Sequence, residues 1–217
     1  LIGKPQSGKS SVVRGLTGVS ADIIGQGFRP HTQHTERYAY PSADLPLLLF
    51  TDTVGLGDVD LDVESIILEL QDDLNLQARG ARILIVTVKV NDFAVDSLHR
   101  ILQRVRSQHP TIPVVLAVTC LHELYPVGAE HSPYPPIQAD VQRAFGELKR
   151  SFDGLYDSAV MIDFTLEEDG YTPVFYGLDA LLTVLSEQLP EAESNAIYQL
   201  LDQTDDATSQ LGAIYRD

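Results

Sequence analysis

The chain opens with the stretch Gly3-Lys4-Pro5-Gln6-Ser7-Gly8-Lys9-Ser10, which satisfies the pattern Gly-x-x-x-x-Gly-Lys-Ser/Thr in full. The glycines let the backbone curl so that successive N–H groups point at one anion. The residues that follow, Val12, Val13 and Leu16, have helical spacing, so the dipole and the free N–H groups of a helix N-terminus face the same point. We therefore expect this loop to hold a phosphate group.

Two side chains of this loop add chemistry to its backbone. In this pattern the lysine, here Lys9, reaches the terminal phosphates, and the hydroxyl group of Ser10 ligates Mg²⁺. Leu1-Ile2 is read as the end of the strand that precedes such a loop, so we expect the numbering to start inside a longer protein. The pattern predicts a site for a nucleoside triphosphate with Mg²⁺.

A second phosphate-facing element is expected where the apolar run 47–50 leads into Thr51-Asp52-Thr53-Val54-Gly55. Asp52, at a strand end beside the loop, is placed to hold Mg²⁺ through water, and the backbone N–H of Gly55 is left free for a γ-phosphate. Between the two elements, a threonine would complete the Mg²⁺ shell while the γ-phosphate is present and release it after hydrolysis. Thr32 lies nearest to the expected position, and Thr35 is the alternative.

Hydrophobic periodicity along the rest of the chain predicts strands that alternate with helices. Such alternation predicts an α/β domain with a mostly parallel sheet and helices on both faces over residues 1–190. Residues 191–217 are expected to form a helical extension or a linker. The predicted strands are 37–40, 45–51, 83–90, 113–118 and 159–164, and the predicted helices are 8–17, 62–78, 96–108, 137–152 and 177–189.

The composition favours an acidic globular domain. The chain has 31 acidic and 15 basic residues, a formal net charge of −16, and 44% hydrophobic residues, more than a disordered chain contains. The shortage of cations argues against direct contact with nucleic acid. No apolar run approaches the ~20 residues of a membrane span. We expect a reducing, cytoplasmic setting, or a peripheral position at a membrane through regions outside this segment.

The motifs resemble those of the Era-like and septin-like GTPases, a branch of the P-loop GTPases. The opening loop looks like the Era-type sequence Gly-Arg-Pro-Asn-Val-Gly-Lys-Ser, and Asp52-Thr53-Val54-Gly55 looks like Asp-Thr-Pro-Gly. Tyr176-Gly177-Leu178-Asp179-Ala180-Leu181 resembles the Gly-Leu-x-x-Leu start of that family's last helix. The resemblance implies a three-layer G domain with a six-stranded sheet that has one antiparallel strand.

The resemblance also implies hydrolysis of GTP to GDP with Mg²⁺. It assigns Lys9, Thr32 and Gly55 to catalysis and Ser10, Thr32 and Asp52 to the metal ion. A loop asparagine helps to hold a monovalent cation such as K⁺ in the family, and Gln6 takes its place here. The nucleotide-binding set becomes Gly3, Pro5, Gln6, Ser7, Gly8, Lys9, Ser10, Ser11, Asp52, Gly55, Thr119, Cys120, His122 and Glu123.

The base-reading segment departs from the family pattern Asn-Lys-x-Asp. Here the fifth strand is followed by Thr119-Cys120-Leu121-His122-Glu123, so Thr119 stands in for the asparagine and His122 for the carboxylate. A neutral imidazole cannot accept both guanine hydrogens as a carboxylate does. Either Glu123 shifts into place or base selectivity is weakened. Cys120 either packs against the base or is a buried structural thiol.

Three functions follow as alternatives. The first is a switch whose loops 20–36 and 55–65 order with GTP and signal to a protein partner. Its turnover is expected to be slow, because Leu56 stands where some GTPases carry a glutamine that orients the attacking water. The second is a nucleotide-binding interaction module with little catalysis. The third is a small-molecule kinase, which leaves the segment 52–55 unexplained. A dimer across the nucleotide face, as in septin-like relatives, stays open.

Overall fold

A parallel sheet of four strands forms the centre of the part of the chain that the computed structural model describes. The described residues are 1–18, 36–40, 48–52, 68 and 83–189, and for 36–40 and 48–52 the backbone alone is described. The strands of this sheet are β1 (Ile2–Gly3), β4 (Leu84–Lys89), β5 (Val114–Thr119) and β6 (Ser158–Met161). Their order in the sheet is β1-β4-β5-β6, and all three neighbouring pairs run parallel.

Within the described ranges four helices accompany this sheet, together with short 3₁₀ turns at Leu121–Leu124 and Glu167–Asp169. The helix predicted over 96–108 is confirmed, with its predicted apolar face buried. The helices are α1 (Lys9–Thr17), α2 (Asp96–Gln108), α3 (Ala139–Ser151) and α4 (Leu178–Glu187). The helix predicted over 62–78 and the extension 191–217 lie outside the described residues, apart from the isolated helical residue Leu68.

The core has two parts, one on each face of the sheet. Alternate residues of β4 show the division, since Val86 packs with α2 and α3 while Ile85 packs with α1 and α4. Because both faces are covered, all six residues of β5 are buried, which explains its continuous apolar sequence. Burial of each such aliphatic side chain contributes roughly 1.5–3 kcal/mol to folding.

Two further strands, β2 (Glu36–Tyr40) and β3 (Leu48–Asp52), form an antiparallel pair. Their register runs from Glu36 opposite Asp52 to Tyr40 opposite Leu48. In the described part of the chain this pair makes no ladder with the four parallel strands. The described residues therefore show a P-loop-type parallel sheet of four strands and an antiparallel pair, and they do not show the predicted single sheet of six strands.

The strand predicted over 159–164 is divided in the structure. β6 ends at Met161, and Asp163–Phe164 (β7) pairs antiparallel with Phe175–Tyr176 (β8). The reason is that β7 leaves the main sheet to pair with β8 instead. This break places Asp163 just beyond the carboxyl end of β6.

Helix α1 packs closely on the β7–β8 pair. A Cβ atom added at Gly15 would lie 2.5 Å from the ring of Phe164. The neighbouring Arg14 donates a hydrogen bond from Nη1 to the carbonyl oxygen of Thr165 (3.0 Å), and its guanidinium lies 4.8 Å from the centre of the Phe175 ring. The glycine is thus required by the close approach of the helix to the aromatic pair.

Within the described ranges, none of the helices is long and apolar enough to cross a membrane.

Candidate nucleotide-binding site

The loop between β1 and α1 has the curled backbone that the sequence pattern predicts. Gly8 lies at the N-terminus of α1 with φ 80°, and Gln6 also has a positive φ of 58°. The loop is closed by a hydrogen bond from the Ser7 N–H to the carbonyl oxygen of Lys4 (3.2 Å). Since α1 begins at Lys9, its first N–H groups face the concave side of the loop, which suits an anion.

The beginning of the loop is packed against β4 too closely for any side chain at Gly3. A Cβ atom there would lie 2.2 Å from Thr87 Oγ1 and 2.4 Å from Ser7 Oγ. These two hydroxyl groups are themselves 2.6 Å apart, and Thr87 donates to the carbonyl oxygen of Ile2 (3.3 Å). Thr87 was not predicted as a site residue. Its buried hydroxyl fixes the loop to the sheet.

The predicted phosphate-binding lysine lies within the loop. Lys9 is buried, and its ammonium group donates to the carbonyl oxygens of Gly3 (3.3 Å) and Lys4 (3.2 Å). A buried ammonium group needs such acceptors, because desolvation of the charge is costly otherwise. The loop carbonyls therefore keep the positive charge of Lys9 at the place where the pattern predicts phosphate.

A second lysine of the loop is bound to the end of β4. Lys4 Nζ lies 2.9 Å from Asp92 Oδ2 and 3.0 Å from Asp92 Oδ1. Asp92 Oδ1 also accepts the backbone N–H of Ala94 (3.0 Å). The ion pair holds the variable part of the loop beside the turn that follows β4.

Thr119 connects the end of β5 to the loop. Its buried hydroxyl group donates to the carbonyl oxygen of Ser7 (2.9 Å), and it also lies within hydrogen-bonding distance of the carbonyl oxygen of Val88 (3.3 Å). The predicted base-reading segment, which starts at Thr119, is therefore adjacent to the predicted phosphate loop. The two motifs lie far apart in sequence, and the parallel pairing of β1, β4 and β5 brings them to one edge of the sheet.

Cys120 follows in a left-handed conformation, with φ 55°. Burial, with the nearby Asp163 and Glu123 carboxylates adding to it, raises the pKa of its thiol to about 12. The thiol is therefore protonated at neutral pH and unreactive. A protonated thiol is compatible with both alternatives for Cys120, packing against the base and a structural role.

His122 has a partner that sequence reasoning missed. Its ring atom Nδ1 lies 2.8 Å from Asp163 Oδ1 and 3.0 Å from Oδ2, and its backbone N–H donates to Oδ2 (2.7 Å). Asp163 is 1% exposed. The hydrogen bond with Asp163 raises the pKa of His122, although burial acts in the opposite direction. The His122 ring also lies 5.0 Å from the ring of Tyr171.

Glu123, the alternative base-reading carboxylate, is already engaged at both oxygens. Oε1 is 2.5 Å from Lys89 Nζ, and Oε2 accepts from Asn91 Nδ2 (2.7 Å). Both partners belong to β4 and the turn after it. These contacts direct the carboxylate of Glu123 toward β4 in this conformation.

The remaining predicted site residues are placed only in part. Ser10 and Ser11 lie in the first turn of α1, Pro5 in the loop, and Asp52 at the end of β3 with its backbone alone described. Thr32, Thr35, Gly55 and Leu56 lie outside the described residues. The described part of the chain contains no group of three or more His, Cys, Asp or Glu side chains that could hold a metal ion.

A sequence signal for the missed residues does exist. Asp163 is the single charged residue in the apolar run Ala159-Val160-Met161-Ile162-Asp163-Phe164, and Thr87 interrupts the apolar run of β4 in the same way. A polar group at a position that should be buried needs a partner. The sequence does not show which partner that is.

Comparisons with known proteins give one family match and similarity to solved structures. A solved structure of Methanosarcina barkeri Roco2 RocCORdC bound to GDP is similar at 14% identity and a TM-score of 0.44, over 86% of this chain and 46% of that one. This chain thus spans a little under half of that chain's length. No curated protein matches. The family model described as 50S ribosome-binding GTPase matches residues 1–119, which is more than half of the chain, and the chain therefore belongs to that GTPase family.

Proposed function

We propose that this chain is the G domain of a nucleotide-dependent switch, which binds GTP with Mg²⁺, hydrolyses it slowly and passes its nucleotide state to a protein partner. The observation that carries the proposal is the loop 3–10, which is curled between β1 and α1 with Lys9 buried against its carbonyl oxygens. GTP hydrolysis is the activity of the family to which the chain belongs.

The phosphate chain of the nucleotide is held, in this proposal, by the backbone N–H groups of the loop and by Lys9. Lys9 would exchange its carbonyl partners for phosphate oxygens, and the N-terminus of α1 would add its dipole. Gly55 would donate its N–H to the γ-phosphate. These groups position the phosphates and stabilise the charge that develops in phosphoryl transfer.

The donor atoms of the proposed metal ligands suit Mg²⁺. The ion prefers oxygen ligands and keeps several waters, with one or two protein groups and substrate phosphates completing its shell. Ser10, in the first turn of α1, supplies a hydroxyl oxygen, Asp52 supplies a carboxylate after β3, and Thr32 is the proposed third ligand. When bound, the ion neutralises charge on the β- and γ-phosphates.

Slow turnover is proposed because no glutamine follows Gly55. Leu56 offers no group that could orient the attacking water. We infer that a partner, a backbone group or a monovalent cation such as K⁺ beside Gln6 supplies this function. Loops 20–36 and 55–65 would then order with GTP and form the surface that a partner reads.

The finer family placement is also a proposal. The motifs at 3–10, 52–55 and 176–181 support the Era-like/septin-like branch, and a cytoplasmic location fits the single unpaired cysteine. The partner is proposed to be a protein effector or a further domain, with a G-domain dimer as an alternative. The net charge of −16 argues against nucleic acid as a direct ligand of this segment.

A second function has one observation in its favour. At the base end the family's carboxylate is replaced by His122, which is bound to Asp163, and both oxygens of Glu123 already accept from Lys89 and Asn91. A nucleotide-binding interaction module with little catalysis would tolerate such a change better than a fast enzyme would.

Nucleotide titration followed by a turnover assay tests the proposal. GTP, GDP and ATP are titrated by calorimetry with Mg²⁺, and phosphate release is then measured with K⁺ or Na⁺. We expect GTP and GDP to bind, and Lys9→Ala to weaken binding by at least ~100-fold, while the matched control Lys149→Ala, on α3, leaves it unchanged. Preference for ATP would contradict the GTPase assignment, and tight GTP binding without hydrolysis would favour the interaction module.

A further inference from the structure

An open groove of about 390 Å³ lies at the C-terminal end of α3, away from the nucleotide-binding loop. It is lined by the helix residues Gly146, Lys149 and Arg150 and by Asp153 and Tyr156 from the turn that follows. Asp153 offsets one of the two cations, so the lining keeps one net positive charge. In a chain with a net charge of −16, this groove reverses the sign of the charge locally.

Both cationic side chains of the groove lie back along α3, each over the residue four positions earlier. Lys149 Nζ lies 5.4 Å from the centre of the Phe145 ring. Arg150 Nη1 lies 3.9 Å from the position that a Cβ atom would take at Gly146. Cations in the last turn of a helix ordinarily interact with its final carbonyl oxygens, and these two groups are directed away from them.

The charges of Lys149 and Arg150 are not neutralised by a neighbour. Both residues are exposed, and among the described residues neither of them forms an ion pair. Two adjacent cations with an open space beside them suit a carboxylate or another anionic group.

The described part of the chain ends beside this groove. α4 ends at Glu187, and Gln188 donates a hydrogen bond from Nε2 to Ser158 Oγ (2.7 Å) at the start of β6. Tyr156, which lines the groove, precedes Ser158 by two residues, so their Cα atoms are at most ~8 Å apart. Three residues of extended chain span about 10 Å. A segment that continues from Gln188 can therefore reach the groove within a few residues.

The segment that follows, residues 190–217, lies outside the described residues and is acidic in sequence. Its first two carboxylates, Glu191 and Glu193, come three and five residues after Gln188. Its one cation is Arg216. The acidic residues of the segment are Glu191, Glu193, Asp202, Asp205, Asp206 and Asp217.

We propose that Glu191 and Glu193 dock into the groove of their own chain, where their carboxylates pair with Lys149 and Arg150. Attachment to the same chain favours this occupant, because a segment tethered a few residues away has an effective concentration in the millimolar range. No other anionic group starts so close to the groove within the described residues and the segment that continues from them.

The surface around the groove adds to the attraction. Helices α2 and α3, which pack on the same face of the sheet, carry six of the 15 cationic residues of the chain and three acidic residues. Arg106 at the end of α2 is bound to Asp157 (2.6 Å), beside the turn that lines the groove. The cations are Arg100, Arg104, Arg106, Arg143, Lys149 and Arg150, and the acids are Asp96, Asp140 and Glu147.

Docking at this groove would fix the direction in which the chain continues. The groove lies near the amino end of β6, whereas the phosphate loop follows the carboxyl end of the parallel strand β1. The docked segment would therefore leave the domain at the edge of the sheet opposite the nucleotide. GTP affinity should be the same in the wild type and in Lys149→Gln/Arg150→Gln, and a failure of nucleotide binding would contradict the proposed function without affecting the docking.

Carbodiimide crosslinking tests the contact in the full chain, because this reagent joins an amine to a carboxylate only where the two groups meet. Of the four lysines, all of which are described, only Lys149 is exposed. We expect mass spectrometry to find Lys149 linked to Glu191 or Glu193. The experiment is run on a mixture of isotopically labelled and unlabelled chains. Links found only between a labelled and an unlabelled chain would assign the groove to a second copy and overturn the inference.

Exchange of the charges separates a contact from a general effect of charge. The groove variant Lys149→Glu/Arg150→Glu should give no link between the groove and the segment 190–217. Addition of Glu191→Lys/Glu193→Lys to this variant should restore the link with amine and carboxylate exchanged. Circular dichroism shows whether each variant is folded. Absence of the link in both the wild type and the exchanged variant would overturn the inference.

A glutamate-specific protease also detects docking that uses Arg150 alone. Cleavage after Glu191 and Glu193 should be about fivefold faster in Lys149→Gln/Arg150→Gln than in the wild type at low salt, the order expected of one or two partly exposed ion pairs. High salt should remove most of the difference. An unchanged rate of cleavage in this variant would overturn the inference.

Arg100→Gln/Arg104→Gln is the matched control for that measurement. It removes two exposed charges of α2 outside the groove, and it should leave the cleavage rate as in the wild type. Equal acceleration in the control would assign the effect to overall charge and contradict docking. Inorganic phosphate should accelerate cleavage of the wild type no more than chloride at equal ionic strength, and a stronger effect would assign the groove to a phosphate group instead.

Discussion

The phosphate end and the base end of the site are built in different ways. At the phosphate end, the loop is closed by bonds between near neighbours, such as the Ser7 N–H with Lys4 and the Lys9 ammonium group with Gly3 and Lys4. At the base end, His122 depends on Asp163, 41 residues further along the chain. A short sequence pattern can specify the first arrangement and cannot specify the second.

The difference matters for function as well as for prediction. A backbone cradle gives every phosphate chain the same contacts, so it sets affinity without choosing the base. The side chains at the base end must make that choice. The loop 3–10 satisfies Gly-x-x-x-x-Gly-Lys-Ser/Thr in full where the contacts are general, and the segment expected to read the base has the sequence Thr119-Cys120-Leu121-His122-Glu123.

The largest effect is expected from Gly3→Ala at the phosphate end. The new Cβ atom would lie 2.7 Å from the backbone oxygen of Thr87, which cannot move without shifting β4. We expect a loss of about 1–3 kcal/mol in the free energy of unfolding and a strong loss of nucleotide affinity. Urea unfolding and GTP titration measure the two effects.

Gly146→Ala is the matched control for that substitution. Gly146 lies in the interior of α3, where the nearest atom to a new Cβ is the mobile Arg150 Nη1 at 3.9 Å. Alanine is favoured over glycine in a helix by about 1 kcal/mol, so this variant should be more stable than the wild-type chain. A Gly3→Ala variant as stable as the wild type would contradict the close packing of the loop on β4.

The link between the two ends is tested by Thr119→Val. The substitution keeps the shape of the side chain but removes the hydroxyl group that donates to Ser7, so a buried carbonyl oxygen loses its partner. We expect the free energy of unfolding to fall by about 1–3 kcal/mol. The affinity for inorganic triphosphate, which has no base, should fall less than the affinity for GTP, because only GTP spans both ends.

Thr119→Ser retains the hydroxyl group and should restore most of the loss. Valine keeps the γ-methyl group and serine does not. A loss in Thr119→Ser as large as that in Thr119→Val would therefore mean that packing of the methyl group contributes as much as the hydrogen bond, which would contradict the role given to the hydroxyl group.

The third prediction concerns the pH dependence of stability that arises from the His122–Asp163 pair. The pKa of His122 is raised in the folded chain above its ordinary value of 6.5, chiefly by the hydrogen bond with Asp163. The resulting stabilisation is present in full below the unfolded pKa and is lost as pH rises through the folded pKa. In Asp163→Asn this contribution should disappear. Thermal melting from acid to alkaline pH measures it.

The quantity to compare is the slope of the melting temperature against pH. A loss of stability in Asp163→Asn that is the same at every pH would reflect packing alone. His122→Ala should flatten the same part of the profile. Equal slopes in wild type and both variants would show that the pair does not titrate as inferred.

The smallest effect is expected from Glu123→Gln. The ion pair of Glu123 with Lys89 is partly exposed, and such pairs contribute about 0–1 kcal/mol to stability. Addition of salt should reduce the difference between variant and wild type further. A loss well above 1 kcal/mol in urea unfolding would mean that this ion pair, and not the bond from Thr119, holds the base end in place.

Sequence patterns predicted most of the described fold because each pattern depends on local spacing. The apolar face Leu98, Ile101, Leu102 and Val105 predicted α2 and is buried, and the loop 3–10 has the predicted backbone. The division of the strand over 159–164 was not predicted, because Phe164 continues the apolar pattern while its hydrogen bonds go to β8. Pairing partners are decided by the tertiary structure and not by periodicity.

The candidate site follows the same rule. Lys9, Ser10 and Thr119 could be named from their motif positions, and the structure brings the loop and the base segment together. The Asp163 partner of His122 could not be named, since a buried carboxylate indicates that a partner exists without identifying it. The hydrogen bonds of Glu123 with Lys89 and Asn91 could not be predicted from the sequence for the same reason.

The close contact of α1 with the β7–β8 pair has a consequence for local opening of the chain. The helix begins at Lys9, and its far end packs through Gly15 and Arg14 on the strands that carry Asp163. Segments that share such close packing exchange their amide hydrogens as one cooperative unit. The amides of Val12 in α1 and Thr165 after β7 should therefore share one opening free energy, and a ligand that binds at the loop would slow hydrogen exchange in the β7–β8 pair as well.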